Sequence, residues 1–408
     1  MSNFLFKKTL IIGLGLIGGS FAKALRQNQV SLEIFGCDLD PKTLEMAQEQ
    51  GAIDGVTFLE DDISNFDFIV VAAPLSTYEK IFEKLKNKIS SDAIVMDLGS
   101  IKNLKIKDLP KNFIPCHPIA GSENSGFEHA LANLFSGKKF IICSENSARN
   151  KIVEVAKKIG AEVEFMDAKS HDEIFALVSH LPQFLSFLTA EFSPKKIEDE
   201  FFKTAFRLDN SSPEIWEDVF KMNEKNLEKF YLQFFDELEK AIKNLMAGKL
   251  KFDANLWTGS GDPVQQELNP VQQELDPIQQ ELETIRQELN PVQQELEPVQ
   301  QEEKIIHSQP SSLAHSGEDL MSSSSNLTKS LMLHIKDDDV FFTRIFFRAL
   351  VAQSFLKIPQ IKIFQKHAGQ GFSDFTSIVE VLNFDAHLLA DLAKKNQQKI
   401  LKIFQSIS

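Results

Sequence analysis

From Thr9 to about Phe165, short apolar runs alternate with stretches whose apolar positions recur at helical spacing. The runs are Thr9–Ile12, Leu32–Gly36, Phe68–Ala72, Ala93–Met96, Phe113–Cys116, Lys139–Cys143 and Glu162–Phe165. Each has the length of a strand, and several are rich in Ile, Val or Phe. Strand–helix alternation of this kind predicts an α/β, doubly wound and mostly parallel sheet with helices on both faces. From His171 to about Leu250 the pattern changes. Apolar residues recur at helical spacing through His171–Phe192 and Pro213–Met246, without strand-like runs, which predicts an all-α second domain. Pro213 follows Asn210-Ser211-Ser212, so the spacing predicts a helix that opens at Pro213 with Ser212 as its cap.

Pro263 to Gln301 repeats a seven-residue unit, PVQQELN, PVQQELD, PIQQELE, TIRQELN, PVQQELE and PVQQ. Val264, Leu268, Val271, Leu275, Ile278 and Leu282 fall at alternating spacings of four and three, as in a coiled coil. A proline in nearly every unit opposes that reading, since each interior proline costs a helix ~3 kcal/mol. A flexible, acidic spacer is expected rather than an ordered helix. The serine-rich stretch Ser308–Ser325 extends it, and a last helical segment runs from Asp337 to Ile407. The organisation read from the chain is therefore an α/β domain over 1–167, a helical domain over 168–250, a low-complexity linker over 251–330 and a C-terminal helical segment over 331–408.

Charge and cysteine content narrow the function classes. The formal net charge is -14, with no basic block, so nucleic acid and anionic membrane are not expected partners. Cys37, Cys116 and Cys143 stand far apart with no C-x-x-C pair, which suits a reducing cytoplasm and argues against a disulfide framework or a metal site. The apolar stretch Thr9–Ala24 is broken by four glycines and Ser20, so it reads as strand, turn and helix rather than as a signal peptide or a span. His129, His307, His315, His334, His367 and His387 show no ligand spacing.

The chemistry is concentrated in loops. Gly13-Leu14-Gly15-Leu16-Ile17-Gly18 follows the first strand and runs into a helix. Glycine is required there for a tight turn, for close approach of a pyrophosphate, and for packing of helix on strand, with the helix N–H groups offered to phosphate oxygens. Asp38 lies twenty residues beyond Gly18 at the end of the second strand, placed to accept a ribose 2′-hydroxyl. It would repel a 2′-phosphate, so a Rossmann domain using NAD rather than NADP is expected. Three more segments fall at predicted C-terminal strand ends: Ala73-Pro74-Leu75, Asp97-Leu98-Gly99-Ser100-Ile101-Lys102, and His117-Pro118-Ile119-Ala120-Gly121-Ser122-Glu123. Parallel sheets bind ligands outside those ends, so Ala73 and Pro74 are expected to join the cofactor site.

Taken in order, GLGLIGGS, DLGSIK, HPIAGSENSGFEHA and HDEIFALVSHLP resemble the prephenate dehydrogenase family, over approximately Lys8 to Ala247. The resemblance implies conversion of prephenate and NAD to 4-hydroxyphenylpyruvate, CO2 and NADH on the route to tyrosine. It also implies a Rossmann domain paired with a helical domain that forms a homodimer. His117 would be the acceptor for the ring hydroxyl proton, with Ser100 hydrogen-bonded to His117 and to the substrate hydroxyl. His180 of the SHLP motif would line the substrate pocket, and His171 would either start a helix or support the pocket. Arg207, nine residues before Trp216, would take a substrate carboxylate, a task suited to a planar guanidinium. Ser122, Glu123 and Trp216 would border or gate the same pocket.

The sequence also departs from that pattern. Gln183 stands where many members have a second histidine, a position that the resemblance places near the substrate's side chain, which leaves prephenate and arogenate both open as substrates. The segment leading to the arginine is reduced to Phe201-Phe202-Lys203-Thr204-Ala205-Phe206-Arg207, with Thr204 where an aspartate belongs. A better copy occurs late, Gly369-Gln370-Gly371-Phe372-Ser373-Asp374-Phe375-Thr376, so the C-terminal segment reads as a diverged duplicate that packs on the helical core. Two alternatives stand beside the prephenate reading: an arogenate or related hydroxy-acid dehydrogenase, and an NAD-binding scaffold with impaired catalysis.

Overall fold

The structure is a computed structural model that describes residues 4–122, 124–190, 206–247 and 349–377. The linker expected over 251–330 lies outside the described residues, as do Glu123 and most of the C-terminal helical segment.

All seven strands expected from the apolar runs form. They are β1 (Phe6–Ile12), β2 (Ser31–Cys37), β4 (Phe68–Val71), β5 (Ile94–Asp97), β6 (Phe113–Pro118), β7 (Lys139–Ile142) and β8 (Glu162–Phe165). The eighth, β3 (Gly55–Val56), is only two residues long, too short to leave an apolar run. The central strands read as unbroken apolar stretches because both of their faces are covered. Ile69 and Val71 enter one core cluster with Leu10, Tyr78 and Phe82, while Phe68 and Val70 enter the opposite cluster with Ile11, Phe21 and Ile34.

The strand order is β3-β2-β1-β4-β5-β6-β7-β8. The first six are parallel and have the strand order of a dinucleotide-binding sheet. β7 then pairs antiparallel with β6, and β8 parallel with β7. The order reverses at β1 and β4, which opens a crevice beyond their C-terminal ends. The glycine loop fills that position. A Cβ on Gly13 (φ +90) would lie 2.6 Å from the Ala72 carbonyl, and one on Gly18 would lie 1.9 Å from the Gly13 carbonyl. Helix α1 (Leu16–Gln27) follows directly, and α2 (Pro41–Glu49) and α3 (Tyr78–Leu85) follow β2 and β4.

After β8 the chain becomes helical, as expected. Helix α5 (Ala168–Phe175) is capped by Asp167, passes through a widened turn at Ala176–His180, and continues as α6 (Leu181–Thr189); α4 (Arg149–Lys158) precedes β8. A 3-10 turn, Arg207–Asn210, leads to α7 (Pro213–Met222) and α8 (Glu224–Met246). Pro213 opens its helix as expected, but the Ser212 hydroxyl bonds the Glu214 carboxylate at 2.5 Å and caps no backbone amide. Late in the chain, helical residues 349–356 precede two short helices, α9 (Ile361–Phe364) and α10 (Gln370–Ser377). The chain divides into two compact units. One is drawn from Met1–Phe187, Arg207–Gln233 and Pro359–Phe375, and the other from Leu188–Phe206, Phe234–Ile358 and Thr376–Ser408.

Charge is buried where β5 and β6 end. Asp97 and Lys102 are both fully buried, with Lys102 Nζ 2.5 Å from Asp97 Oδ2 and 2.5 Å from the Cys116 carbonyl. Tyr78 Oη and the amides of Gly99 and Cys116 donate to the same carboxylate at 3.1–3.2 Å. Removing one partner of such a pair strands the other charge in the core. Lys102→Met is therefore expected to lower stability by about 3–5 kcal/mol in urea denaturation, with partial recovery in Asp97→Asn/Lys102→Met. A loss under about 1 kcal/mol would mean that the sheet does not depend on this pair.

Candidate active site

The glycine loop has the features of a phosphate cradle. Gly15 occupies the cap position of α1, no side chain caps the helix, and a Cβ at Gly15 would meet nothing within 4 Å. The first-turn N–H groups of a helix favour an anion, and open space before Gly15 lets one approach. Asp38 lies at the loop mouth, where its carboxylate accepts the Leu14 amide at 2.7 Å and the Asp40 amide at 2.9 Å. Ala73 and Pro74 follow β4 beside the glycine loop, with Ala73 half-buried and Pro74 exposed. The sequence-predicted cofactor residues Gly13, Gly15, Leu16, Ile17, Gly18, Asp38, Ala73 and Pro74 are thus grouped around the β1–β4 crevice.

His117 is inside β6, paired with Ile141 of β7, rather than in the loop beyond the strand. Its ring is closely surrounded by protein yet keeps part of its surface open to solvent. Nδ1 of His117 lies 2.9 Å from Nε2 of His171, and Nδ1 of His171 lies 2.9 Å from Oδ1 of Asp172. The Asp172 carboxylate also accepts the amides of Lys102 at 2.8 Å and Asn103 at 2.9 Å. Burial raises the Asp172 carboxyl, but the bonds from His171 and from these amides outweigh it and hold the group below the usual carboxylate range.

These contacts assign the tautomers. An ionised Asp172 can only accept, so His171 carries its proton on Nδ1 and presents Nε2 as an acceptor. His117 then donates from Nδ1, which leaves its Nε2 as a free base. Burial, followed by the neighbouring His171, Lys102 and His180, pushes the His117 pKa well below its ordinary value, so the ring is neutral near pH 7. His171 is fully buried, stacked on Phe175, and likewise lowered by burial.

A second imidazole is arranged differently. His180 is fully buried, and burial lowers its pKa to about 3. Asn223 Nδ2 donates to the Asp172 carbonyl at 2.7 Å, which fixes the amide orientation, and meets His180 Nδ1 at 3.0 Å. His180 Nδ1 must therefore accept, and the proton sits on Nε2, a buried donor with no hydrogen-bond partner among the described residues. Trp216, half-buried on α7, meets the His180 ring edge-on at 6.1 Å. The same helix is tied to the loop after β4, where the Ser76 amide donates to Asp218 at 3.0 Å.

Three expectations change here. Among the described residues Ser100 makes no hydrogen bond to His117, whose Nδ1 meets His171 instead. Gln183 is buried and its amide is engaged at both ends, Nε2 with the Leu208 carbonyl at 2.8 Å and Oε1 with the Ser211 hydroxyl at 3.3 Å. It therefore holds the turn that carries Arg207. Ser122 is exposed and turns its hydroxyl onto the Asn124 backbone, while Glu123 lies outside the described residues. Arg207 is partly exposed and bonds Asp374. Sequence reasoning assigned no role to Asp97, Lys102, Asp172 or Asn223, although the first three lie within the quoted DLGSIK and HDEIFALVSHLP motifs. Among the described residues, no group of acidic, histidine and cysteine side chains could hold a metal ion, and no helix is long and apolar enough to cross a membrane.

Comparison with known proteins agrees with this fold. The family model described as "Prephenate dehydrogenase, nucleotide-binding domain" matches residues 21–165, and "Prephenate dehydrogenase, dimerization domain" matches residues 167–251. A cyclohexadienyl dehydrogenase of Zymomonas mobilis is 28% identical over 58% of this chain and 87% of its own length. A prephenate dehydrogenase of Bacillus subtilis is 26% identical over 57% of this chain and 68% of its own. The crystal structure of prephenate dehydrogenase from Aquifex aeolicus with hydroxyphenyl propionate and NAD+ is 31% identical. It superposes with a TM-score of 0.54, and the match covers 68% of this chain and 98% of that one.

Three buried neutral imidazoles give the fold a pH dependence of known sign. Their native pKa values lie below the ordinary value of about 6.5, so between the two the unfolded chain holds more protons. Stability is full above that value and is lost as pH falls below it, for His180 down to about 3. Thermal unfolding should show Tm falling steadily from about pH 6.5 downward, and His180→Asn should make the fall shallower. A Tm that is flat across this range, or a slope unchanged by the variant, would contradict the assignment.

Proposed function

Because the chain belongs to the prephenate dehydrogenase family, we propose that it oxidises and decarboxylates prephenate to 4-hydroxyphenylpyruvate and CO2, with NAD as hydride acceptor. The observation that carries this reading is the hydrogen-bonded chain from Asp172 through His171 to His117, which leaves a neutral acceptor nitrogen in the family's histidine. The residues present fit the cofactor. The amides at the start of α1 and the open face of Gly15 suit a pyrophosphate, and Asp38 at the loop mouth suits a ribose hydroxyl. When bound, NAD supplies the hydride acceptor.

In this mechanism His117 Nε2 accepts the proton of the ring hydroxyl as the carbon bearing it loses hydride. The product of that half-reaction is a cyclic dienone. Cleavage of the ring-carbon–carboxylate bond then releases CO2, and its electron pair moves through the ring to the carbonyl oxygen. His117 returns the proton to that oxygen, and a phenol results. His171 and Asp172 hold the imidazole in the tautomer that can do both, and the imidazolium is stabilised through the chain while the proton resides there. Arg207 binds the side-chain carboxylate, and the unpartnered N–H of His180 provides a further donor for a substrate oxygen. Ser100, half-buried in the loop after β5, would hydrogen-bond the ring hydroxyl, a role that the family resemblance implies. The dimerization domain supports a homodimer, and the three free thiols suit the reducing cytoplasm.

NADH formation with prephenate and, separately, with arogenate tests the assignment. Turnover with arogenate alone would overturn the substrate, and silence with both would favour a scaffold. His117→Asn should lower kcat by about 10²–10⁴-fold with KM little changed, because it removes an interaction specific to the transition state. An unchanged kcat would move the acceptor elsewhere. Arg207→Ala should raise KM for prephenate by a factor corresponding to about 1.5–3 kcal/mol of charged hydrogen bonding. It should weaken hydroxyphenyl propionate, the carboxylate bound in the Aquifex aeolicus structure, in parallel. Unaltered binding of both would remove Arg207 from the site.

A further inference from the structure

Arg207 is oriented by a residue from a distant part of the chain. Its Nε lies 2.7 Å and its Nη2 2.5 Å from the same oxygen, Oδ2 of Asp374. Asp374 is 1% exposed, and its other oxygen accepts Gln370 Nε2 at 2.8 Å, one turn earlier on α10. A carboxylate held in this way fixes the plane and direction of the guanidinium. The alternative is a long side chain free to sample many rotamers, which loses entropy when a ligand orders it.

The segment that carries Asp374 is built into the same compact unit as the sheet. A Cβ on Gly369 would lie 2.7 Å from Ile119 Cγ2, so the late backbone lies against the residue two positions beyond His117. His367 Nδ1 stands 2.5 Å from Glu164 Oε1 on β8, off the line of a good hydrogen bond, and Lys139 Nζ donates to the Lys366 carbonyl. Phe364 meets Phe230 of α8 edge-on, and Phe372 and Phe375 are buried. Sequence, close approach and ion pairing thus converge on one segment, which borders the histidine strand at one end and holds the arginine at the other.

We propose that residues 359–375 are a structural part of the substrate site, and that Asp374 is a positioning residue which aims Arg207 at the substrate carboxylate. The inference rests on the assignment of Arg207 as the carboxylate-binding residue. It gives the late motif a task in this chain: it supplies the aspartate that is absent at Thr204.

The test uses the full-length protein with Asp374→Ala and Asp374→Asn, each in the native and Arg207→Ala backgrounds. Steady-state kinetics with prephenate are read beside calorimetric binding of hydroxyphenyl propionate to the NAD-saturated protein, with Tm as the folding control. Asp374→Ala should raise KM and Kd about tenfold and leave kcat within about twofold, with the isosteric Asp374→Asn falling between. In the Arg207→Ala background neither substitution should weaken binding further, because residues that act through one another are not additive. Equal effects in both backgrounds, or no effect in the native one, would overturn the proposal while leaving the enzyme assignment standing. A native protein that neither turns over prephenate nor binds the probe would overturn that assignment and this inference together. If Asp374→Ala fails to fold, Asp374→Asn, which preserves volume, decides alone.

Discussion

The carboxylate of Asp172 is the constraint on which the site depends. It is nearly buried, and such a charge is tolerable only when its lone pairs are filled. Two of its donors are backbone amides from the loop after β5, and the third is the ring of His171 on its own helix. One side chain thereby fixes the first helix after the sheet against the sheet's C-terminal edge, and also determines which nitrogen of His171 carries a proton. The tautomer of His117 follows, and with it the identity of the nitrogen left for chemistry. A neutral residue at 172 could fill the space, but it would not enforce this order of donors and acceptors.

The network continues through Lys102. Its amide bonds Asp172 while its ammonium group is buried against Asp97, so a single residue joins the two buried carboxylates. Burial pushes the Asp97 carboxyl up and Lys102 pulls it back, and the amides of Gly99 and Cys116 assist. Low dielectric strengthens each of these bonds and equally penalises any that is missing, so such networks are effective only when satisfied throughout. His180 is the exception. Its unpartnered N–H is tolerated in the described structure at a cost that a bound oxygen would offset.

Much of this was legible in the chain, for physical reasons that differ by level. Strands buried on both faces must be continuously apolar, so β1, β4 and β5 announce themselves, whereas the two residues of β3 do not. The glycine loop is legible because backbone proximity at Gly13 and Gly18 excludes any side chain. The identity of His117 came from its motif, but its partner did not. His171 is 54 residues away and reaches it only through the tertiary fold, so linear pattern pointed to Ser100 and gave no sign of this contact. Gln183 was expected near the substrate from its place directly after the SHLP motif, and its engagement with the Leu208–Ser211 turn is invisible to linear pattern. The weakened segment before Arg207 and the better copy at Gly369–Thr376 were both visible in the sequence. The ion pair that joins the two, 167 residues apart, was not.

Where the sheet holds His117 also bears on the proposed mechanism. Parallel sheets usually present catalytic groups on loops beyond the strand ends, where position is set by turn chemistry and is easily relaxed. Here β7 runs antiparallel to β6 and extends the pairing through Cys116, His117 and Pro118, so the histidine lies in a hydrogen-bonded ladder. The strand fixes the backbone of His117, the His171 bond fixes its ring, and the Phe175 face limits its tilt. In the proposed mechanism His117 receives a proton and returns it to the same oxygen, and such rigidity serves both transfers because they require one geometry. In the proposed mechanism the antiparallel β7, which departs from an all-parallel sheet, thus holds the proton acceptor and is not an incidental extension of the fold.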